Sequence, residues 1–228
     1  MLKEKFKENP TFIAIVSTIY NLLNCNNIYR YYRRNTIQTK GAFLKKVRFK
    51  ISGNNNTISF GKMAQLKNCT IEIYGNNCEI KIGGGHTHIT NTSFYCEDDN
   101  SKIIIGSCFT MESGHIASTE GEIITIGNDC MFSNDIEIRN GDSHSIIENG
   151  TLNRTNWANP VRIGDHVWLT AHVRIMKGTE VASQSIIANS SLVSSKLKIP
   201  NSIYGGNPAK LIKSEINWDR NRYKYKRE

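Results

Sequence analysis

The feature that most constrains this 228-residue chain is a six-residue repeat of aliphatic residues in its C-terminal third. Every sixth residue there is aliphatic, in the order Ile163, Leu169, Ile175, Val181, Ile187, Val193 and Ile199. A period of six matches neither an amphipathic helix, which repeats every 3.6 residues, nor the alternation of a simple strand. It is typical of a β-solenoid that has three short faces per coil and one inward aliphatic residue per face. Stacked coils then bury one continuous aliphatic column, which is the core.

The same period continues upstream with insertions. A pair formed by an apolar residue and glycine recurs at residues 60, 82, 105, 126 and 163, at spacings of 22, 23, 21 and 37. If one coil takes 18 residues, the insertions are 4, 5, 3 and 19 residues long. The first three are short enough to be bulged turns. The longest, roughly residues 139–159, predicts a protruding loop, and long loops on rigid scaffolds often carry functional residues.

The charge distribution divides the chain into three parts. Residues 1–50 contain eleven Lys or Arg against two Asp or Glu, residues 196–228 contain nine against three, and the body between them is acidic. A nucleic-acid-binding protein more often carries its basic stripe on the folded body, so we expect no nucleic-acid partner. We predict an N-terminal helical and basic segment over 1–50, the solenoid over 51–203, and a C-terminal cap with a basic tail over 204–228.

Both ends predict helices. The apolar run after Pro10 predicts a helix with proline in its first turn. Two interpretations stay open for it: a cap that packs on the solenoid or on a neighbouring subunit, or a membrane-surface helix that makes peripheral contact. Residues 209–222 predict a short C-terminal helix that covers the last coil. The first residues lack a secretory signal and the six cysteines lack zinc-ligand spacing, which predicts a cytoplasmic protein, at the inner face of the membrane in the second interpretation.

Three motifs carry a family resemblance. The repeat ends in GGNPAK at 205–210, the long loop begins with GDSHS at 141–145, and the next coil begins with IGDHVW at 163–168. Over residues 50–213 the chain resembles the hexapeptide-repeat acyltransferases, and within them the polysaccharide O-acetyltransferases of capsule and envelope synthesis. The resemblance implies an all-β, left-handed parallel β-helix. It also implies acetyl transfer from acetyl-CoA to a hydroxyl of a polysaccharide or glycan precursor, a homotrimer with active sites between subunits, and no metal.

The resemblance also assigns catalytic residues. His144 matches the family's general base, and an imidazole suits the removal of a hydroxyl proton near neutral pH. Asp142 is expected to orient that ring, although a backbone carbonyl or Glu148 would serve equally well. Trp168 stands where an aliphatic residue would suffice, so it is expected to wall the acceptor sugar, with simple packing as the alternative.

Further residues are expected to bind the two substrates. Trp157, in the loop, is expected to stack on a sugar, and His166 to contact the substrate or support the base, with an ordinary surface turn as its alternative. Basic residues and small corner residues are expected to hold the phosphates and the slender body of CoA. The positions that match the family are Thr170, Ala171, Ala188, Asn189, Ser190, Lys196, Lys210 and Lys213.

The same fold supports other functions. An N-acetyltransferase for an amino-sugar nucleotide shares the base and CoA, so the residues leave it open. A zinc carbonic anhydrase needs three converging histidines, and the pairs His86/His88 and His166/His172 lack the family's spacing. A solenoid that only binds a repetitive surface would show regular threonine ladders and no long loop.

Overall fold

The computed structural model describes residues 9–24 and 34–223. One helix, α1 (Pro10–Leu23), precedes a solenoid of seven coils, and each coil contributes one strand to each of three sheets. Two further strands at the C-terminal end extend one of these sheets to nine strands, and only the last strand is antiparallel. We call the sheets A, B and C in the order in which the chain visits them. Asn9 caps the helix, because its side-chain oxygen accepts hydrogen bonds from the N–H groups of Thr11 and Phe12.

The strands follow one another by stacking along the solenoid axis. Sheet A consists, in hydrogen-bonded order, of β1 (Thr36–Gln38), β4 (Thr57–Phe60), β7 (Glu79–Ile82), β10 (Lys102–Ile105), β13 (Ile123–Ile126), β16 (Val161–Ile163) and β19 (Glu180–Val181). Sheet B consists of β2 (Phe43–Lys45), β5 (Gln65–Lys67), β8 (His88–Thr90), β11 (Thr110–Met111), β14 (Met131–Phe132), β17 (Trp168–Leu169), β20 (Ile186–Ile187), β22 (Ile203–Gly205) and β23 (Lys210–Lys213). Sheet C consists of β3 (Arg48–Ile51), β6 (Thr70–Ile73), β9 (Thr92–Cys96), β12 (Gly114–Ser118), β15 (Ile136–Arg139), β18 (Arg174–Ile175) and β21 (Leu192–Val193).

The strand register confirms the predicted spacings. Phe60, Ile82, Ile105, Ile126 and Ile163 are direct neighbours in sheet A, although up to 37 residues of chain separate adjacent members. All five are buried, as are the inward residues of the six-residue repeat from Ile163 to Val193. The aliphatic column is therefore one core that runs through every coil.

Three predictions about the ends are wrong. The solenoid begins at Thr36 rather than at residue 51, because β1 pairs with β4 and the first coil already buries its inward side chains. The repeat ends before Ile199, which is about half exposed, and the last coil buries Leu197 and Tyr204 instead. The predicted C-terminal helix is absent from the described residues, since β23 runs antiparallel to β22 and covers the last coil as a strand.

The coil corners explain the abundance of small and amide residues. Asn55 and Asn77, in the two repeated GNN motifs, both adopt positive φ angles, near 57°, at the corner between sheets C and A. Asparagine tolerates this left-handed conformation better than most residues. Four inward cysteines are buried free thiols, and burial raises the pKa of Cys69 to about 11 and that of Cys130 to about 12. Cys25 lies outside the described residues.

Candidate active site

The predicted loop leaves the solenoid at the corner between sheets C and A. It spans residues 140–160, between β15 and β16, and an isolated bridge between Ile147 and Arg154 folds it back on itself. The corner of the preceding coil lies on one side of the loop root and the corner of the following coil on the other. Both corners supply charged side chains to the loop.

Two ion pairs clamp the loop between these corners. Glu120, from the preceding coil, pairs with Arg154 and accepts a hydrogen bond from the Ala158 N–H at 2.8 Å. Burial raises the pKa of Glu120, but these two donors outweigh it and leave the pKa below its ordinary value. Lys177, from the following coil, pairs with Asp142 and also donates to the Asn156 carbonyl at 3.0 Å.

Asn156 lies at the centre of the clamp and is almost fully buried. Its side-chain NH₂ donates to the Asp142 carboxylate at 2.9 Å and to the His144 carbonyl at 2.7 Å. Its side-chain oxygen accepts from the Ile146 N–H at 2.7 Å. One amide thus holds the Asp142 side chain and the backbone at His144 and Ile146, and such buried amide contacts specify a single loop conformation.

The His144 imidazole is exposed, whereas its backbone is held. The His144 N–H donates to the Asp142 carbonyl at 2.7 Å, and its own carbonyl accepts from Asn156. No hydrogen bond joins the ring to another residue of the described ranges. The Asp142 carboxylate is occupied by Lys177 and Asn156, and the Lys177 ammonium holds the pKa of that carboxyl below its usual range. Asp142 therefore positions the backbone of His144 rather than its ring.

A concave surface lies on the outer face of sheet B, opposite the corner that carries the loop. It encloses about 550 Å³, and Trp168 forms one end of it. Its remaining lining mixes hydroxyl, imidazole, carboxylate and thioether groups: His88, Thr90, Thr110, Met111, Glu112, Met131, Phe132 and Ser133. The Trp168 side chain is half-buried, so one part packs and another part faces the concavity.

The C-terminal segment, residues 214–223, crosses the corner between sheets A and B beside Trp168. The buried Trp218 stacks on His166, with ring centres 3.9 Å apart, and its centre lies 5.9 Å from that of Trp168. Both ring nitrogens of His166 are occupied, one by Asp129 at 2.7 Å and the other by the Trp218 carbonyl at 3.0 Å. His166 thus anchors the segment, and neither of its ring nitrogens is available for direct contact with a substrate.

Arg220 completes the attachment of this segment. Its guanidinium pairs with Asp129 at 2.9 Å and donates to the Cys108 and Cys130 carbonyls and to the Thr110 hydroxyl. Burial raises the pKa of Asp129, but His166 and Arg220 outweigh it and leave the pKa below its ordinary value. The segment therefore forms a fixed wall next to Trp168.

The residues predicted to bind CoA fall into two groups. Thr170 and Ala171 follow β17, and Ala188, Asn189 and Ser190 follow β20, so they stack at the corner between sheets B and C. The turn between β22 and β23 stacks on the same corner and leads to the exposed Lys210 and Lys213. Lys196 is separate: it lies 3.6 Å from Glu180, towards the corner of the loop.

Trp157 is exposed on the loop, and the Arg154 guanidinium covers one face of its indole at 4.7 Å. Within the described residues, no group of three or more His, Cys, Asp or Glu side chains is arranged to hold a metal ion.

Sequence reasoning missed the clamp and the tryptophan anchor. The clamp residues have a detectable signal, since the coil spacing puts Glu120 and Lys177 at the corners before and after the loop. Trp218 has none, because it follows the last repeat and contacts a corner 52 residues away.

The chain is similar to known acetyltransferases. No family model matches it. It is 33% identical over 176 residues to the polysialic acid O-acetyltransferase of Neisseria meningitidis, covering 76% of this chain and 80% of that protein. The chain belongs to the hexapeptide-repeat O-acetyltransferases.

Solved structures of this O-acetyltransferase family have the same left-handed β-helix. The polysialic acid O-acetyltransferase OatWY superposes with a TM-score of 0.74 at 30% identity, over 83% of this chain and 88% of that one. The polysialic-acid-specific acetyltransferase NeuO gives a TM-score of 0.64 at 27% identity, over 77% of this chain and 90% of that one.

Proposed function

We propose that this O-acetyltransferase moves an acetyl group from acetyl-CoA to a hydroxyl of an anionic polysaccharide or of its glycan precursor. The observation that carries the proposal is the exposed His144 imidazole, which has no hydrogen-bond partner within residues 9–24 and 34–223, on a clamped backbone. The names of its relatives, which act on polysialic acid, support a polymeric acidic acceptor.

His144 acts as the general base in this proposal. A nitrogen of its imidazole takes the proton of the acceptor hydroxyl as the oxygen bonds to the carbonyl carbon of the thioester. The carbon–sulfur bond then breaks, and the proton passes from the imidazole to the leaving thiolate. The clamp contributes by holding the His144 backbone in one place, because misplacement of a base by about 1 Å costs on the order of 100-fold in rate.

CoA is proposed to lie along the corner between sheets B and C. The small side chains of Ala171, Ala188 and Ser190 leave room for a slender chain, and all three are at least partly exposed. Lys210 and Lys213 are exposed beyond them and supply positive charge for phosphates. Lys196 reaches this corner only if it comes from a neighbouring subunit.

The acceptor is proposed to occupy the concavity on sheet B, with Trp168 as its wall. The hydroxyl groups along the concavity match the hydrogen bonding of a sugar, and an indole packs well on a sugar ring. Trp157 is proposed to stack on the acceptor through the face that Arg154 leaves open. The thioester then lies between the CoA corner and the acceptor, next to Trp168.

A homotrimer would complete this site. His144 and Trp168 lie on opposite sides of the triangular cross-section, so one subunit alone keeps the base away from the acceptor. A cyclic trimer brings the loop of one subunit to sheet B of the next. We further propose that the trimer works in the cytoplasm on capsular material, at the inner face of the membrane.

Replacement of His144 by alanine tests the proposed base. Turnover should fall by about 10²–10⁴-fold, because a positioned base contributes this much, while acetyl-CoA still binds. The measurement is CoA release with polysialic acid as acceptor, together with calorimetric titration of acetyl-CoA. The matched control is His172→Ala, a corner imidazole already paired with Asp135, which should stay within a few-fold of the parent. Near-parental turnover in the His144 variant would show that His144 is not the general base.

A further inference from the structure

Helix α1 packs on the solenoid through the buried apolar Ile13 and through two buried polar side chains. Ser17 and Asn21 are buried, and they bind the open edge of the first coil. The Ser17 hydroxyl accepts from the Gly41 N–H at 2.9 Å. Asn21 accepts from the Leu44 N–H at 2.8 Å and donates to the Ala42 carbonyl at 3.0 Å. The helix therefore caps the free backbone groups of the edge, which would otherwise lack partners.

The opposite side of α1 carries an exposed apolar stripe, which we define as Ile15, Val16, Ile19 and Leu22. These four side chains are 55, 37, 52 and 51% exposed. Ile15 and Val16 each lie one turn before Ile19, and Ile19 lies one turn before Leu22, so the four form one continuous strip. Only Ile13 among the large aliphatic residues of the helix is buried, and most of the others face outward, which departs from the usual globular pattern. Such a patch on a soluble surface marks an interaction site.

The charge pattern around the stripe fits an anionic lipid surface. No charged residue occurs between residues 9 and 29, whereas residues 1–34 as a whole contain six Lys or Arg and two Glu. An apolar helix face with basic flanks inserts into the headgroup region and attracts acidic lipids. Among the described residues, no helix has the length and apolar character needed to cross a bilayer.

A neighbouring subunit offers a poorer cover for the stripe. In a parallel cyclic trimer, each α1 lies level with the first coils of its neighbours. In the first two coils, residues 34–78, Tyr74 is the only large apolar side chain that is exposed in the described structure. They carry outward basic residues instead, such as Lys45, Lys46 and Arg48.

We propose that the apolar stripe of α1 seats this protein on an anionic membrane surface, with the end of the solenoid that α1 caps facing the bilayer. The stripe enters the headgroup region by about 5–10 Å, while the solenoid and its loop project away from it. This surface deepens the location proposed above and does not depend on the acetyl-transfer chemistry.

Co-sedimentation of the full chain with vesicles tests this surface. Vesicles of phosphatidylcholine with about one third phosphatidylglycerol should bind the parent, and pure phosphatidylcholine should bind it much more weakly. The double variant Ile15→Gln/Ile19→Gln should bind the acidic vesicles about tenfold or more weakly, because two apolar side chains no longer leave water. Ile199→Gln is the matched control, since Ile199 is 48% exposed at the other end of the solenoid. It should bind like the parent.

Two results would overturn the proposal. One is a parent that ignores acidic vesicles, and the other is a double variant that binds them as well as the parent does. Light scattering tests the rival explanation that the stripe is a subunit interface. A double variant with a smaller mass than the parent would support that explanation. CoA release with a soluble acceptor is measured on the same samples. Its absence would count against the proposed function and leave the vesicle result unaffected.

Discussion

At the scale of single residues, Asp142 changes role between sequence and structure. Asp142 lies two residues before His144 and was expected to orient the imidazole. Its carboxylate instead pairs with Lys177 from the next coil. Contacts of this kind join residues 35 positions apart, so no local spacing reveals them. His166 shows the same limit, since its partners Asp129 and Trp218 lie 37 and 52 residues away. Residue identities pointed to the site, but only the stacked coils show which atoms meet.

The new role of Asp142 predicts a specific pH behaviour. A carboxylate with a depressed pKa stabilises the clamp above its ordinary pKa, and this contribution is lost as pH falls through the lower folded-state pKa. Asp142 thus stays ionised between about pH 5 and pH 8. Asp142→Asn should lower turnover by about tenfold or less, since the backbone of His144 loosens but the base remains. The ratio of parent to variant turnover should stay constant over that pH range.

Initial rates of CoA release at several pH values check this prediction. Glu72→Gln removes a partly exposed ion pair with Lys50, which joins the second coil to the first, and should leave turnover unchanged. A variant-to-parent ratio that changes around neutral pH would return Asp142 to the predicted contact with the imidazole.

At the scale of elements, the six-residue period was sufficient to predict the central coils but not the two ends of the solenoid. Each coil must place aliphatic residues inward at fixed intervals, so the spacings 22, 23, 21 and 37 translate directly into strand register. The first coil was not predicted from the sequence, because its three inward residues, Ile37, Leu44 and Phe49, are interspersed with outward lysines and arginines that obscure the apolar period. The C-terminal helix was wrong because the last open edge favours strand pairing by β23 over a helix.

The anchored C-terminal segment supports Trp168 in a way that can be measured. Trp218→Ala removes the stacking on His166 and the indole hydrogen bond to the His166 carbonyl at 2.9 Å. The segment should then detach, and trypsin should cleave after Arg220 about tenfold or more faster, because cleavage needs local opening. Turnover should fall as well, since Trp168 loses a neighbouring wall.

Asn217→Ala is the control for this change, since Asn217 is exposed and bonds only to the adjacent backbone N–H among the described contacts. Mass spectrometry of timed digests gives the cleavage rate. Equal rates for both variants and the parent would show that Trp218 does not hold the segment.

At the scale of the whole molecule, the triangular solenoid separates His144, the proposed base, from Trp168, the proposed acceptor wall. His144 leaves the corner between sheets C and A, and Trp168 lies on sheet B across the core. The clamp holds the loop at its own corner, so His144 cannot reach sheet B of the same subunit. If the proposed trimer is correct, every site takes its base from one subunit and its tryptophan from the next.

Mixed trimers of two inactive variants test this arrangement directly. His144→Ala and Trp168→Ala should each have low turnover alone. In a trimer that contains both, one interface of three joins an intact His144 to an intact Trp168. Random assembly of equal amounts should therefore restore about one quarter of the parental turnover, because three quarters of the trimers are mixed and each has one intact interface of three.

Co-expression, with subunit ratios from mass spectrometry, gives this measurement, and variants mixed only after separate assembly serve as the control. If co-expression restores nothing, the two residues act within one subunit or His144 is not the base, and a light-scattering mass of one subunit would exclude the trimer itself.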